Sequence, residues 1–231
     1  MQEPIAETRE TYDVIAAEFA SRNAAIDAGL TADIDTMTAG LAAGGVIVDV
    51  GCGPGRDLAL LRQQGFRAVG IDLSIGQLRT GSVPCAVQAD MRWLPLRAGS
   101  ADAIWCRAAL LHIPRRAVPV VLAEFARVMR PGGELYLSVA EGDGEGFEAA
   151  AHYGSDRRRW FTYQREPALT ALLAGAGFAV HQVRRHRAHR DWLSVFALRA
   201  ERLAGMSQGA GVDSQRGRTG KSQRWPGCCR S

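Results

Sequence analysis

The run Val46-Ile-Val-Asp-Val-Gly-Cys-Gly-Pro-Gly55 constrains this chain more than any other stretch. Val46 to Val50 reads as a buried parallel strand. Gly51, Gly53 and Gly55 then alternate through a tight loop that opens a helix at Arg56-Asp57-Leu58. With no Cβ, the backbone there can take positive φ and lie against a ligand. Strand, glycine turn and helix in this order form a nucleotide-binding element, with the ligand at the carboxyl end of the strand. The plainer alternative is an ordinary glycine-rich strand-to-helix turn.

Pro54 inside the loop has no N–H. A loop that cradles a pyrophosphate uses N–H groups aimed at the anion. The loop therefore points away from a nicotinamide dinucleotide and toward a ligand without phosphates. Downstream, Ala68-Val-Gly-Ile-Asp72 is a second short strand ending in a carboxylate. An acid at about that distance from the glycines can accept from both ribose hydroxyls. Cys85 to Asp90 reads as a third strand, after which Asp90 can accept from an adenine amine and Met91 can pack on the ring. A fourth strand, Ala101 to Cys106, leads into Arg107-Ala-Ala-Leu-Leu-His112. Arg130-Pro-Gly-Gly133 forms a turn before a fifth strand, Glu134 to Ala140. Any one of these acids can be a helix cap or a surface residue. Asp49, Asp72 and Asp90 at three consecutive strands together argue for a site.

With those motifs the chain, from about Tyr12 to Arg199, resembles a small single-domain class I S-adenosylmethionine-dependent methyltransferase. The resemblance implies an α/β, Rossmann-like, doubly wound and mostly parallel seven-stranded sheet. Helices cover both faces, and an antiparallel C-terminal hairpin closes the edge. It implies S-adenosyl-L-methionine as cofactor. Asp49, Gly51, Cys52, Gly53 and Gly55 would hold its methionine part. Asp72 would bind the ribose, with Leu73 and Ser74 beside the adenine, and Asp90 and Met91 would form the adenine pair. Arg107 and the Leu-Leu-His-Ile-Pro run after it would line the methyl-transfer face. It also implies that the amino-terminal helices and the segment after the fifth strand recognise the acceptor.

The remaining organisation is coarse. Glu3 to Ser21 reads as one amphipathic helix, and Thr31 as the cap of a second through Leu41. Arg56 to Gln64 is a crossover helix stopped by Gly65, and a later helix from Glu166-Pro167 is stopped by Gly177. Phe178 to Arg184 and Trp192 to Arg199 read as two closing strands. The expected division is 1–45 as capping helices, 46–200 as the catalytic domain with an insert at 141–165, and 204–231 as a disordered basic tail. The insert carries Arg157-Arg158-Arg159 before Trp160-Phe161-Thr162-Tyr163. It reads either as an acceptor lid whose arginines meet an anion, or as a solvated basic turn beside packed aromatics.

The net charge of +4 misleads. Residues 199–231 hold seven of the 28 basic and two of the 24 acidic residues, which leaves 1–198 at −1. The tail, with the only lysine, Lys221, and the pair Cys228-Cys229, reads as a basic arm for nucleic acid or as a plain extension. A near-neutral body favours a small-molecule acceptor, with RNA or protein methylation and a non-catalytic binding module as alternatives. No apolar run approaches a membrane span, the start is unlike a signal peptide, and no metal-ligand spacing occurs. The expectation is a cytoplasmic protein with Cys52, Cys85 and Cys106 reduced. No residue stands out as catalytic. His112 is the candidate base if the acceptor must lose a proton, or else a histidine satisfied by a backbone carbonyl. His181, His186 and His189 look like surface residues, and His152 and Tyr153 like parts of the lid.

Overall fold

The structure is a computed structural model that describes residues 4–81 and 84–201. The tail at 204–231, with Lys221 and the Cys228-Cys229 pair, lies outside the described residues, as does Glu3. Seven strands form one sheet in the order β3-β2-β1-β4-β5-β9-β8. They are β1 (Val46–Val50), β2 (Arg67–Asp72), β3 (Ala86–Gln88), β4 (Ala101–Arg107), β5 (Met129–Ala140), β8 (Phe178–Arg187) and β9 (Asp191–Arg199). The first five run parallel, and β9 pairs antiparallel with both β5 and β8. The strand order reverses beside β1, whose neighbours are β2 and β4. In an open parallel sheet, that reversal leaves a crevice at the carboxyl ends of the strands.

Burial on both faces explains why the central strands are apolar runs. Val48, Ile104, Leu135 and Leu137 face α6 (Val118–Val128) and α7 (Glu166–Gly175) through Leu122, Phe125, Leu169 and Leu173. Ile47, Ala103, Trp105 and Tyr136 face α3 (Ala28–Thr38) and α4 (Arg56–Gln63) through Leu30, Ile34, Leu58 and Leu61. Trp105 and Tyr136 are register partners, and their rings stack 3.9 Å apart.

Several local expectations need correction. The first helix is two, α1 (Pro4–Val14) and α2 (Ala16–Arg22). The break falls at the adjacent β-branched pair Val14 and Ile15, which are weak helix formers. The next helix, α3, starts at Ala28 rather than at Thr31, because Asp27 caps it by accepting from Leu30 N at 2.8 Å. Strand β3 is shorter than Cys85 to Asp90, and Cys85 takes a φ of 67°. Arg130-Pro-Gly-Gly133 lies within the bounds of β5 as a bulge: Ala101 pairs with Met129, and Ala103 next with Glu134.

The insert is not an irregular loop. It folds into a two-stranded antiparallel ribbon, β6 (Glu145–Ala149) and β7 (Arg158–Thr162). The ribbon docks on α1 through two buried threonines. Thr8 Oγ1 accepts from Trp160 N at 2.9 Å, and Thr11 Oγ1 donates to Arg158 O at 2.7 Å. The edge of β7 is thus satisfied by helix side chains. Among the described residues, no helix is long and apolar enough to cross a membrane and no cluster of His, Cys, Asp or Glu is placed to hold a metal.

Candidate functional site

The site begins with the glycine loop after β1. Gly51 N and Cys52 N both donate to Ile71 O, at 2.7 and 3.1 Å, which turns the chain back over the end of β2. Gly51 takes a φ of +77°, and a Cβ there would sit 2.2 Å from the Ala109 Cβ, so only glycine fits. Asp72, at the end of β2, holds the loop from the other side. One carboxylate oxygen accepts from Gly53 N at 2.8 Å and the other from Ser74 N at 2.7 Å. Ser74 caps α5 (Ile75–Thr80) by accepting from Gln77 N.

The floor of this region is acidic. Asp49 is buried, and its Oδ2 has no hydrogen-bond partner. Burial raises its pKa well above the usual carboxylate value, and the nearby Asp57 and Asp72 raise it further. Asp72 is also raised by burial, against the pull of its backbone donors. Asp57, at the start of α4, accepts from the Trp105 indole N–H at 3.0 Å and from Arg56 Nε at 2.7 Å. Arg56 and Arg107 offset this in part. A buried carboxylate oxygen without a partner among other acids is still an environment that a cationic group would relieve. Burial likewise raises the Cys52 thiol pKa and pushes that of Cys106 up to about 12, so both stay protonated.

A cavity of about 1020 Å³ opens from this floor. Every residue expected to hold the cofactor lines it except Gly55, which sits at the N-cap of α4 with a φ of 87°. Met91 is half-buried against the core. The Asp90 carboxylate, read as an acceptor for an adenine amine, already accepts from Arg92 N at 2.9 Å and from the Arg92 guanidinium at 2.7 Å.

The far end of the same cavity is aromatic and basic. His112 Nδ1 lies 2.6 Å from Trp160 O, and its Nε2 lies 2.8 Å from the Tyr12 hydroxyl. A carbonyl can only accept, so Nδ1 carries the proton and Nε2 accepts from Tyr12. Burial, then Arg159 and Arg190, lower the histidine's pKa to about 3. His112 is therefore a neutral, doubly hydrogen-bonded histidine, and its free lone pair is taken. Arg159 Nη1 donates to the Tyr12 hydroxyl at 3.1 Å. Phe19 packs 5.4 Å from both Tyr12 and Tyr153, which closes α2 over the site.

The three consecutive arginines do not act together. Arg157 is exposed, and Arg158 turns outward to pair with Glu7 at 2.5 Å. Only Arg159 turns inward and is buried. Of the histidines, His181 bonds to Glu134 at 2.6 Å on the hairpin, while His186 and His189 are exposed at the cavity rim. Two residues escaped sequence reasoning. Asp13 accepts from Ser74 Oγ at 2.6 Å and Gly76 N at 2.8 Å, which latches α1 onto α5. A Cβ on Gly76 would come within 2.7 Å of the Asp13 backbone. Arg190 pairs with Glu148 at 3.1 Å and lies 4.4 Å from the Phe161 ring centroid. Nothing local in the sequence marks either one.

Residues 22–183 match the family described as a methyltransferase domain. The chain belongs to that family. Its sheet and crevice are those of class I S-adenosylmethionine-dependent methyltransferases. A trans-aconitate 2-methyltransferase of Azoarcus sp. (strain BH72) is 39% identical over 100 residues, 40% of this chain and 38% of that protein. A ubiquinone biosynthesis O-methyltransferase of Xanthomonas axonopodis pv. citri is 32% identical over 105 residues, 42% of this chain and 43% of that protein. The chain thus matches about two fifths of the length of these curated relatives. Among solved structures, the 1,6-didemethyltoxoflavin-N1-methyltransferase of Burkholderia thailandensis superposes with a TM-score of 0.64 at 25% identity, covering 87% of this chain and 92% of that one. That structure holds 1,6-didemethyltoxoflavin and S-adenosylhomocysteine.

Proposed function

We propose that this protein transfers a methyl group from S-adenosyl-L-methionine to a small-molecule acceptor by direct displacement. The observation that carries this reading is Asp49. Its buried carboxylate has an oxygen with no partner, at the glycine loop, in an acidic floor that suits a cation. In this reading Asp49, Gly51, Cys52, Gly53 and Gly55 surround the methionine part. Asp72, Leu73 and Ser74 take the ribose and adjoining adenine, Asp90 and Met91 flank the adenine, and Arg107 borders the transfer face. Residues 1–45 cap a catalytic domain at 46–200, and the insert at 141–165 completes the acceptor wall.

When bound, the cofactor supplies an electrophilic methyl group on a sulfonium. The chain's own contribution is placement and exclusion of water. Asp72 fixes the loop while keeping lone pairs open for hydroxyl donors. The Asp13 latch, the Phe19 contacts and the docked ribbon hold a roof over the cavity. The roof, and the trans-aconitate and 1,6-didemethyltoxoflavin named for two of the similar proteins, support a small-molecule substrate over RNA.

Calorimetry with S-adenosylmethionine, S-adenosylhomocysteine and a nicotinamide dinucleotide tests the cofactor. Micromolar-class binding of the first two and none of the third is expected. The reverse pattern sinks the reading. Labelled methyl transfer should then reach a small-molecule extract and not bulk RNA. Label in RNA alone would move the acceptor class.

A further inference from the structure

Arg159 is a buried cation that pairs with no anion among the described residues. It is 8% exposed, and its Nε has no hydrogen-bond partner. Its guanidinium carbon lies 5.5 Å from the Tyr12 ring centroid, 5.0 Å from Tyr153 and 5.2 Å from Phe161. Burial works against its charge and the tyrosines Tyr12 and Tyr153 favour it. Among the described residues it makes no ion pair, and Glu148, its register partner on β6, pairs instead with the neighbouring cation, Arg190. The far end of the cavity therefore carries one uncompensated positive charge inside a ring of aromatic faces.

Burying a charge without a counter-charge is costly unless something that binds there supplies it. The cavity-lining position of Arg159 gives the missing anion a place beside its guanidinium. Planar guanidinium donors match a carboxylate edge. A single net charge suits a monoanion, and the Glu148 carboxylate on the same wall disfavours a dianion such as a phosphate ester. The rings of Tyr12, Phe19 and Tyr153, packed edge-on and tilted against one another, give an aromatic wall that suits an apolar, unsaturated body beside the anion.

We propose that the acceptor is a planar, unsaturated or aromatic carboxylate anchored on the Arg159 guanidinium between Tyr12, Tyr153 and Phe161. This assignment rests on the methyltransferase reading for its meaning, but the anion subsite can be tested separately. Benzoate and cinnamate would be titrated into the full chain, each against its isosteric amide and against phenyl phosphate. The titrations would be run with the protein alone and with protein saturated with S-adenosylhomocysteine. Carboxylates should bind at least about tenfold more tightly than the amides and the phosphate. Arg159→Met should remove that preference and leave S-adenosylhomocysteine affinity within about twofold. Should the methionine variant not fold, Arg159→Lys keeps the charge without the planar fork, so it should weaken carboxylate binding and retain the preference over amides. Equal binding of amides, tighter binding of the phosphate, no binding by any probe, or a preference that survives Arg159→Met would each overturn the proposal. A carboxylate preference without any S-adenosylhomocysteine binding would instead overturn the methyltransferase reading and keep the subsite.

Discussion

The two ends of the cavity are opposites. One end, at β1 and β2, is an acidic floor with Asp49, Asp57 and Asp72 crowded together and raised carboxyls on Asp49 and Asp72. The other, under α1 and the β6–β7 ribbon, is cationic and aromatic, with a neutral histidine held down to a pKa of about 3. Each end stores a charge imbalance that a ligand of the opposite sign would relieve. A cationic cofactor and an anionic acceptor would each find the other's end repulsive. The polarity of the cavity thus orients two reactants before any specific contact forms.

The largest expected effect tests the acidic end. Asp72→Ala removes the acceptor for Gly53 N and Ser74 N as well as the site for ligand hydroxyls. Charge-assisted bonds contribute about 1.5–3 kcal/mol each, so S-adenosylhomocysteine affinity should fall at least about 100-fold. Carboxylate binding at the other end should change far less. Equal losses at both ends would mean that the two ends are not independent.

The second effect tests the aromatic end. His112→Ala leaves Trp160 O and the Tyr12 hydroxyl without their partner in a buried setting. The expected cost is about 3 kcal/mol, a fall in Tm of roughly 6–12 °C for a chain of this size. Cofactor affinity should stay within about threefold. A variant as stable as the parent would show that water replaces the ring.

The same contrast explains what could be read from the sequence. The acidic end is assembled from one continuous stretch, β1 through Met91, in which each strand end follows the last in order. Glycine spacing and strand-end acids report such a site directly. The aromatic end joins Tyr12 to His112 across 100 residues and Arg159 to Tyr12 across 147. No spacing rule spans that distance. The arginine triplet shows the same limit on a small scale. Once 158–162 is a strand, alternation sends Arg158 to solvent and Arg159 inward. Without the strand, three adjacent arginines look equivalent. The helix start went to Asp27 rather than Thr31 because both are good caps, and packing of Leu30 and Ile34 on the sheet chose between them.

Acidity should act on the two ends in opposite directions. The folded pKa values of Asp49 and Asp72 are raised, so their contribution to stability is complete at low pH and is lost as pH rises through those values. The folded value of His112, about 3, is below its usual 6.5, so its contribution is complete above about 6.5 and is lost as pH falls toward 3. Asp49→Asn should therefore raise the Tm of the ligand-free protein at pH 7–8 by about 2–4 °C, equivalent to about 1 kcal/mol. It should also weaken S-adenosylmethionine binding, since the counter-charge is gone. In the unaltered protein that affinity should rise with pH as Asp49 ionises. Thermal scans and titrations from pH 5 to 8 check both signs. A destabilised Asp49→Asn would show that the carboxylate is paired in solution.

The smallest effect is the sharpest check on which arginine belongs to the cavity. Arg157 and Arg158 are exposed, and Arg158 pairs with Glu7 of α1 and lies 4.1 Å from the Phe147 ring centroid, away from the cavity lining. Exposed ion pairs contribute little because water screens them and ordering two long side chains opposes them. Arg157→Ala and Arg158→Ala should each leave Tm within about 1 °C and leave cofactor and carboxylate affinities unchanged within error. Arg159→Met, one residue further along the same strand, should remove carboxylate discrimination. Three neighbouring residues with the same chemistry would then give one large response and two silent ones, which their burial predicts and a shared basic patch does not. A graded loss across all three would mean that long-range charge at the surface, and not the buried guanidinium, draws the anion to this end of the cavity.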